Sequence, residues 1–426
     1  MWVSRLVGGV RGLPRNIKVL SLGWLAWSPV QSMSGPYIQL YLGSLGASPE
    51  QISAVQSVQN VVNAASRVVG GYLTDRRGRK RIIWLGTVLV SAAYALMSLA
   101  PSWTAYAAAS ILNSAALFYQ PALESIQADS VAMHLRGRVY AILHLLSGSL
   151  SSVAPLGGAA LVNTLGMEKG VRVSLALSAV VGLGVALARY RWLEETLREP
   201  GSGGSLIDAY REVLSKLRGS IRDMVAMDAA LNFLGGLTLL GNYYVFHVLG
   251  IDATGLALLS SVSSVVGLLS TIPAGYLVDL RGRGPSLQLG IHLGTASLLL
   301  FVAAPPRSAY TLPLLLLSGV AGAIGGSLYG LAHQALRADV FPLESRGRAY
   351  ALLGLPPAAA WSAGAALGGW LYAVLGPSAP FVASLILRLV LTPLLVFLSR
   401  RLSRGIDAVI NGALHAPAGA SPRGSR

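Results

Sequence analysis

Four charged side chains stand inside otherwise apolar stretches of this 426-residue chain. They are Arg67, Glu124, Asp228 and Arg388. A charge near the centre of a hydrocarbon layer costs about 2.5–3.5 kcal/mol, so each should have a partner or reach water. Glu124 and Asp228 are candidates for taking up and releasing a proton, although an ion pair with Arg76 or Arg79 is the favoured interpretation of Glu124. No partner for Arg388 can be named from the sequence.

Two of the six histidines, His247 and His333, stand in similar stretches and could also carry a proton near neutral pH. The alternative is a neutral, hydrogen-bonded imidazole. The histidines have no HxH or HExxH spacing, and the chain has no cysteine, which excludes a thiolate metal site and a disulfide. We expect no metal, no cofactor and no convergent set of catalytic groups.

The composition is that of a protein that crosses a membrane repeatedly. Hydrophobic residues make up 53% of the chain and charged residues 12%, against about 25% charged residues in soluble domains. No charged residue or histidine occurs from Leu85 to Tyr119. The net charge of +16 does not indicate a nucleic-acid partner, because the basic residues lie in short loops between apolar segments.

Twelve segments are long and apolar enough to span a bilayer. They lie at about 17–43, 49–73, 82–100, 104–127, 137–164, 171–192, 221–249, 254–278, 286–304, 309–335, 347–375 and 378–400. The predicted organisation is a first unit at 1–192, a linker with a surface helix at 193–220, a second unit at 221–402 and a disordered tail at 403–426.

The distribution of basic residues predicts the orientation. Of 33 lysines and arginines, only Lys169, Arg172 and Arg307 lie in or beside one set of loops, and most of the others lie at the termini or in the opposite set. The positive-inside rule therefore places both termini and the linker in the cytoplasm, in a cell membrane.

Two sequence markers occur twice, in the same order. The pattern G-Y-L-x-D-x-R-G-R covers Gly71–Arg79 and recurs 204 residues later at Gly275–Arg283. The pattern A-D followed by R-G-R-x-Y-A contains Asp129 and Arg138, and recurs 210 residues later with Asp339 and Arg348. The matched Asp, Tyr and Ala positions indicate that a six-span unit has been duplicated.

These markers resemble signature loops of the major facilitator superfamily, and the stretch Leu193-Glu-Glu-Thr-Leu197 resembles an element of its drug and metabolite proton antiporter branch. The resemblance implies an all-α membrane fold in which twelve transmembrane helices form two pseudo-symmetric six-helix bundles. It implies a central cavity lined mainly by spans one, four, seven and ten. It also implies that Asp75 faces span eleven, and that Arg76 and Arg79 reach Asp129 or Glu124 and latch the two bundles together. The predicted gating set is Gly71, Asp75, Arg76, Gly78, Arg79, Asp129, Arg138, Asp279, Arg283, Asp339 and Arg348.

Polar and aromatic residues on the four cavity spans are the candidates for binding a solute, with helix–helix hydrogen bonding as the alternative. The predicted substrate-binding set is Trp27, Gln31, Asn113, Tyr119, Asn232, Asn242, Tyr329 and His333.

The leading hypothesis is a monomeric secondary transporter that exports drug-like or amphipathic molecules by alternating access, with protons as a candidate coupling ion. Span one carries no carboxylate, which puts proton coupling through that span in doubt. An importer of a sugar, organic acid or other metabolite is the alternative, as is a membrane sensor that binds a solute without moving it. The expected partners are a small-molecule substrate and the lipid bilayer.

Overall fold

The described part of the chain is helical throughout. The computed structural model describes residues 14–131, 136–197, 219–340 and 352–414. The N-terminal half (14–197) contains α1 Arg15–Ser34, α2 Ile38–Ser44, α3 Pro49–Arg77, α4 Arg79–Leu99, α5 Trp103–Ala116, α6 Gln120–Ser130, α7 Arg136–Leu165 and α8 Met167–Trp192. The C-terminal half (219–414) contains α9 Gly219–Leu237, α10 Gly241–His247, α11 Ala253–Arg281, α12 Arg283–Val302, α13 Thr311–Val340, α14 Leu355–Val374 and α15 Ala379–Leu414.

Three of the predicted spans are interrupted helices. A 3-10 turn at Gly35–Tyr37 separates α1 from α2, and another at Leu117–Tyr119 separates α5 from α6. Residues 238–240 form a turn between α9 and α10. Pro36 and Pro121 lie at the first two breaks, where the missing N–H and the ring disturb a continuous helix. The interrupted segments are the predicted spans one, four and seven.

Every predicted span coincides with a helix or with an interrupted pair of helices. In the part of the chain that the structure describes, seven helices are long and apolar enough to cross a membrane. They are Arg79–Leu99, Met167–Trp192, Ile221–His247, Ala253–Arg281, Arg283–Val302, Thr311–Arg337 and Ala379–Leu402. Several crossings are therefore established, and the count of twelve stays a prediction.

The two ends of the molecule differ in how the halves pack. We call the end where α3 meets α4 and α11 meets α12 the basic end. At the opposite end one buried apolar cluster contains residues of both halves, among them Tyr41, Leu42, Leu249 and Leu256. Towards the basic end, each half has apolar clusters of its own. The halves thus share a core at the opposite end and keep separate cores towards the basic end.

Hydrogen bonds reinforce the shared core. The Tyr37 hydroxyl donates to the carbonyl oxygen of Ala253 at 2.9 Å. The Gln39 side chain donates to the carbonyl oxygen of Leu239 at 2.6 Å and accepts from the Tyr243 amide at 3.2 Å. The two bonds of Gln39 satisfy backbone groups that the break between α9 and α10 leaves open, so the interrupted segment is held by the other half.

Both copies of the first repeated marker form the same tight turn. Gly78 and Gly282, which separate α3 from α4 and α11 from α12, each have φ of +83°. Glycine adopts this left-handed conformation without steric cost. The repeated glycines are therefore required by the backbone.

The predicted tail and the predicted linker differ in how much of them the structure describes. Helix α15 continues to Leu414, into the segment 403–426 that the sequence predicts as a disordered tail. The helix persists because Ile406, Val409 and Ile410 keep helical apolar spacing. The predicted surface helix of the linker falls on 198–218, outside the described residues.

Gly70, and not the predicted Gly71, is where α3 is approached most closely. A Cβ atom on Gly70 would overlap the carbonyl oxygen of Phe118, whereas a Cβ on Gly71 would meet nothing within 4 Å. The closest approach to α3 is thus one residue before Gly71, which corresponds to about 100° around a helix.

We predict that Gly70→Ala lowers the stability of the folded protein by about 1–3 kcal/mol, because the 3-10 turn must shift to accept the methyl group. Thermal unfolding of the purified protein measures the effect as a lower Tm. Gly71→Ala is the matched control and should leave the Tm unchanged. Equal Tm values for the two variants would contradict the assigned packing.

Candidate functional site

A buried carboxylate in the C-terminal half is the most concentrated chemical feature. The Tyr329 hydroxyl donates to Asp228 Oδ1 at 2.9 Å, and His333 Nε2 lies 2.9 Å from Asp228 Oδ2. The imidazole N–H is not aligned for a hydrogen bond, so the contact with His333 is electrostatic. Asp228 is 5% exposed. We call Asp228, Tyr329 and His333 the carboxylate site.

Helix geometry explains why these residues meet. Tyr329 and His333 are four residues apart on α13, which puts them on one face, and their rings stack with centroids 5.5 Å apart. Asp228 lies on α9, where Met224 and Met227 are fully buried. The Asn232 amide donates to the Asp228 carbonyl oxygen at 2.8 Å. Of the predicted substrate-binding residues, the structure therefore brings Asn232, Tyr329 and His333 to one point.

Asp228 thus has a phenol on one carboxylate oxygen and an imidazole beside the other. Carboxyl and imidazole groups are the side chains that most often act as general acids and bases in proteins. Of the two predicted candidates for proton coupling, Asp228 is the buried one and Glu124 the exposed one.

Glu124, the second candidate for proton coupling, has a different setting. Arg67 donates to Glu124 Oε1 at 2.9 Å and to the Gln120 side chain at 2.8 Å. The Glu124 side chain is 65% exposed. The favoured partners of Glu124, Arg76 and Arg79, are thus replaced by Arg67, and the pair is of the exposed, weakly stabilising kind.

Two arginines of the first marker, Arg76 and Arg79, contact side chains of their own half. Arg79 forms an ion pair with Asp129, as the resemblance implies. That pair joins α4 to α6, which both belong to the N-terminal half, so it does not itself latch the halves together. Arg76 lies over the Tyr72 ring, 4.3 Å from its centroid, and Asp279 in the second copy is exposed.

Four members of the predicted gating set cannot be placed. Arg348 lies outside the described residues. The side chains of Asp75, Arg138 and Asp339 are likewise outside the described part, so their gating roles stay predictions.

Glu195 is a functional residue candidate that the sequence analysis did not single out. Its carboxylate accepts from the amides of Arg79 and Lys80 at 3.0 and 3.1 Å, and from Thr196 and Leu197 at 2.9 and 3.0 Å. The first two amides begin α4, where a negative charge is stabilised by the helix dipole. We call the bonds from Glu195 to Arg79 and Lys80 the linker clip, because they tie the start of the linker to the first marker.

The linker clip also explains the pKa of Glu195. Partial burial raises the pKa of this carboxyl, but the four backbone N–H groups outweigh burial and hold the pKa below its ordinary value. Gly78 leaves room for the clip, since a Cβ there would lie 2.7 Å from Glu195 Oε2. The signal available in the sequence was the stretch Leu193-Glu-Glu-Thr-Leu197, which contains this carboxylate.

Two of the predicted substrate-binding residues have packing roles instead. Trp27 is 3% exposed, and its indole N–H donates to the Ser178 carbonyl oxygen at 2.9 Å. Tyr119 is also buried in the core of the N-terminal half, 5.8 Å below the Arg189 guanidinium. Both side chains point into their own half in this conformation, and their contact with a solute stays a prediction.

The three remaining members of the predicted set are partly buried. Gln31 lies beside the Tyr94 side chain. Asn113 has a buried Oδ1 atom without a hydrogen-bond partner, which leaves it able to accept from a ligand. Asn242 lies in α10 near the shared core. The structure does not bring these three residues to the carboxylate site.

A cleft between the halves is lined mainly by hydroxyl groups. It has a volume of about 500 Å³ and lies between α1, α7 and α11. Its lining consists of Ser28, Ser32, Ser147, Gly148, Ser151, Ser152, Ser264, Gly267, Leu268 and Thr271. We call it the seam cleft. None of the lining side chains is charged, and the volume is within the range of sites for drug-sized ligands.

Four hydroxyl groups of the seam cleft are satisfied as donors without a ligand. Ser32, Ser151, Ser152 and Thr271 donate to the carbonyl oxygens four residues earlier in their own helices. Each hydroxyl oxygen keeps a lone pair that can accept from a solute. Ser147 and Ser151 lie one turn apart on α7, and this spacing was the pattern in the sequence that could have indicated the seam cleft.

The fold and these sites define a class: a multi-pass α-helical membrane protein of the transporter type. The sequence model of the Major Facilitator Superfamily matches residues 28–240 and 224–420. The chain belongs to that superfamily, as the repeated markers indicated.

Comparison with individual proteins agrees with this assignment. A sodium, lithium, potassium/proton antiporter of Planococcus maritimus is 26% identical over 190 residues, which is 43% of this chain and 43% of the relative. The match thus spans less than half of either protein.

Solved structures show the same fold. The human organic anion transporter MFSD10 has a TM-score of 0.68 and 17% identity, and the match covers 90% of this chain and 99% of that one. A POT family transporter in complex with a thioalcohol-conjugated peptide has a TM-score of 0.75 and 15% identity, covering 92% and 99%. The fold is therefore that of transporters.

We predict that Glu195→Gln loosens the start of α4, because an amide binds the two N–H groups more weakly than a carboxylate does. Hydrogen–deuterium exchange at Arg79 and Lys80 should become faster, by about tenfold for a loss of about 1.4 kcal/mol. Glu194→Gln is the matched control. It removes the exposed ion pair with Arg15 at 2.8 Å and should leave those two amides unchanged.

The pH dependence of the linker clip has a defined sign. Because the pKa of Glu195 is lowered on folding, the stabilisation is present above the unfolded pKa and is lost as the pH falls through the folded pKa. An NMR titration of the Glu195 carboxyl carbon should show this lowered pKa. A pKa at or above the ordinary glutamate value would contradict the clip.

Proposed function

We propose that this protein is a proton-coupled secondary transporter of the cell membrane that exports drug-like or amphipathic compounds by alternating access. The carboxylate site carries the proposal: Asp228, in contact with Tyr329 and His333, is a buried group able to carry a proton through the transport cycle. An ionisable group at membrane depth is expensive, so its retention there points to a role in coupling.

Alternating access is supported by the unequal packing of the two ends. The halves share an apolar cluster at the opposite end and have separate clusters towards the basic end. If the halves rock against each other, the end at which they are packed together changes from the opposite end to the basic end. In this proposal the halves are the bundles 1–192 and 221–402, with six spans each. The basic end is cytoplasmic, as are both termini. Because the halves are packed together at the opposite end, this conformation is the inward-facing one.

The seam cleft supports the substrate class. Its uncharged hydroxyl and aliphatic lining offers hydrogen-bond acceptors and apolar contact but no counter-charge for a strongly charged metabolite. The Planococcus maritimus relative is a sodium, lithium, potassium/proton antiporter, which supports exchange against protons. The protein is proposed to act as a monomer.

We predict that Asp228→Asn abolishes acceleration of transport by a pH gradient, because the variant has no carboxylate to protonate at this site. Purified protein in proteoliposomes is assayed with a fluorescent lipophilic cation, with and without an imposed proton gradient. Asp223→Asn is the matched control: Asp223 lies on the same helix, is 7% exposed and pairs with Arg401 at 3.1 Å. The control should keep full gradient dependence.

The flux assay also separates the alternatives. Gradient-driven movement of the lipophilic cation supports export. Movement of sugars or small carboxylates without any flux of lipophilic compounds would establish an importer, and binding without flux of any solute would leave a sensor. Gradient dependence that survives in Asp228→Asn would overturn the coupling role.

We predict that Ser151→Trp reduces transport by about tenfold or more, the change expected for a loss of about 1.4 kcal/mol, because the indole fills the seam cleft. Ser149→Trp is the control, since Ser149 is exposed and does not line the cleft. Initial rates over a range of substrate concentrations separate a raised KM from a lower maximal rate. Equal effects of the two variants would exclude the cleft as the substrate site.

A further inference from the structure

Arg388 is a partly buried cation that no carboxylate neutralises in the part of the chain that the structure describes. It lies near the middle of Ala379–Leu402, a helix apolar enough to span a membrane. Its Nε atom is buried and makes no hydrogen bond. A guanidinium at this depth normally binds a counter-charge or reaches water. The structure therefore leaves a strong donor group without an acceptor.

The guanidinium faces a crevice inside the C-terminal half. The crevice has a volume of about 230 Å³. Its lining consists of Leu234, Gly235, Thr238, Gly241, Gly294, Ser297, Leu298, Phe301, Ser318, Phe381, Ser384 and Arg388. We call it the Arg388 crevice. It is separate from the seam cleft, with which it shares no lining residue.

The hydroxyl groups of the crevice are already committed as donors. Ser384 donates to the Leu234 carbonyl oxygen at 3.0 Å and Thr238 to that of Gly235 at 3.0 Å. Ser297 and Ser318 each donate to the other's carbonyl oxygen, at 2.8 and 2.7 Å. Arg388 is the charged side chain of this lining, and its Nε atom has no acceptor.

Arg189 is a buried arginine in the last span of the N-terminal half. It is 1% exposed and donates to Thr87 Oγ1 at 2.6 Å, while its Nε atom makes no hydrogen bond. Beside Arg388 stands Gly294, whose Cβ, if present, would overlap Arg388 Nη2. The glycine therefore leaves the space beside the Arg388 guanidinium open.

We propose that the Arg388 crevice binds the carboxylate of a small anion with an apolar body. The guanidinium fork matches the two oxygens of a carboxylate. Leu298, Phe301 and Phe381 offer apolar contact to the rest of the ligand. The volume is below the range of drug-sized sites, which selects a short chain. A phospholipid headgroup is not the occupant, since headgroups lie at the membrane surface and Arg388 lies near the middle of its helix.

The test is calorimetric titration of the purified full-length protein in nanodiscs with sodium hexanoate. Saturable binding is expected for the wild type, and hexylammonium, which has the same chain and the opposite charge, should not bind. Arg388→Gln should weaken hexanoate binding by about tenfold or more. Arg172→Gln is the charge-matched control, because Arg172 pairs with Glu168 at 3.0 Å outside the crevice, and it should bind as the wild type does.

Two further variants keep the test decisive if Arg388→Gln does not fold. Arg388→Lys keeps the charge and loses the fork, so it should bind more weakly than the wild type. Gly294→Ala keeps the arginine but displaces Nη2, and should weaken binding as well. Each variant is accepted only if it elutes as a single species.

Three results would overturn the proposal: no binding of hexanoate to folded wild-type protein, equal binding by wild type and folded Arg388 variants, or chloride binding as tightly as hexanoate. The last result would identify a site for inorganic anions instead. Proton-coupled flux is measured separately, so failure here leaves the proposed transport function standing.

Discussion

The cost of placing an unsatisfied polar group in hydrocarbon governs every level of this structure. Backbone groups in the described spans satisfy one another within helices, and serine and threonine hydroxyls such as Ser91 and Thr87 donate back to carbonyl oxygens of their own helix. Where a segment is interrupted, as between α9 and α10, the Gln39 side chain from the other half binds the open backbone. Irregular backbone is thus present where protein, and not lipid, can satisfy it.

The same cost makes each buried charge informative. Asp228 lies between a phenol and an imidazole, and Arg189 has a hydroxyl and an aromatic ring as neighbours. Glu124 and Arg67 pair where water reaches them. Under the proposed function, Asp228 is the better candidate for proton coupling, because it is buried whereas Glu124 is exposed.

The sequence predicts where helices and repeats lie better than it predicts which side chains contact one another. Hydropathy and the two duplicated markers locate the helices, and the glycine turns at Gly78 and Gly282 follow from the motif itself. The end of α15 at Leu414 lies well beyond the predicted end of span twelve. Periodicity assigns a residue to a face of a helix, but the helix opposite depends on tertiary packing. For that reason the sequence pairs Glu124 with Arg76 or Arg79, whereas the structure pairs it with Arg67, and the burial of Trp27 was not foreseen. The partners of Glu195 were missed because they are backbone amides, which have no sequence signature.

The two halves have similar marker loops and different polar groups around them. In the N-terminal half, the ion pair of Arg79 with Asp129 and the linker clip both fasten the basic end of α4. In the C-terminal half, the corresponding loop has the exposed Asp279, and the ionisable groups inside the half include Asp228 and Arg388. The N-terminal half also contains a buried ionisable group, Arg189, which has a hydroxyl and an aromatic ring as neighbours. Under the proposed function, the half that is fastened at its end moves as a rigid body, and the half that contains Asp228 responds to protonation. Their shared core at the opposite end is the surface about which one half moves against the other.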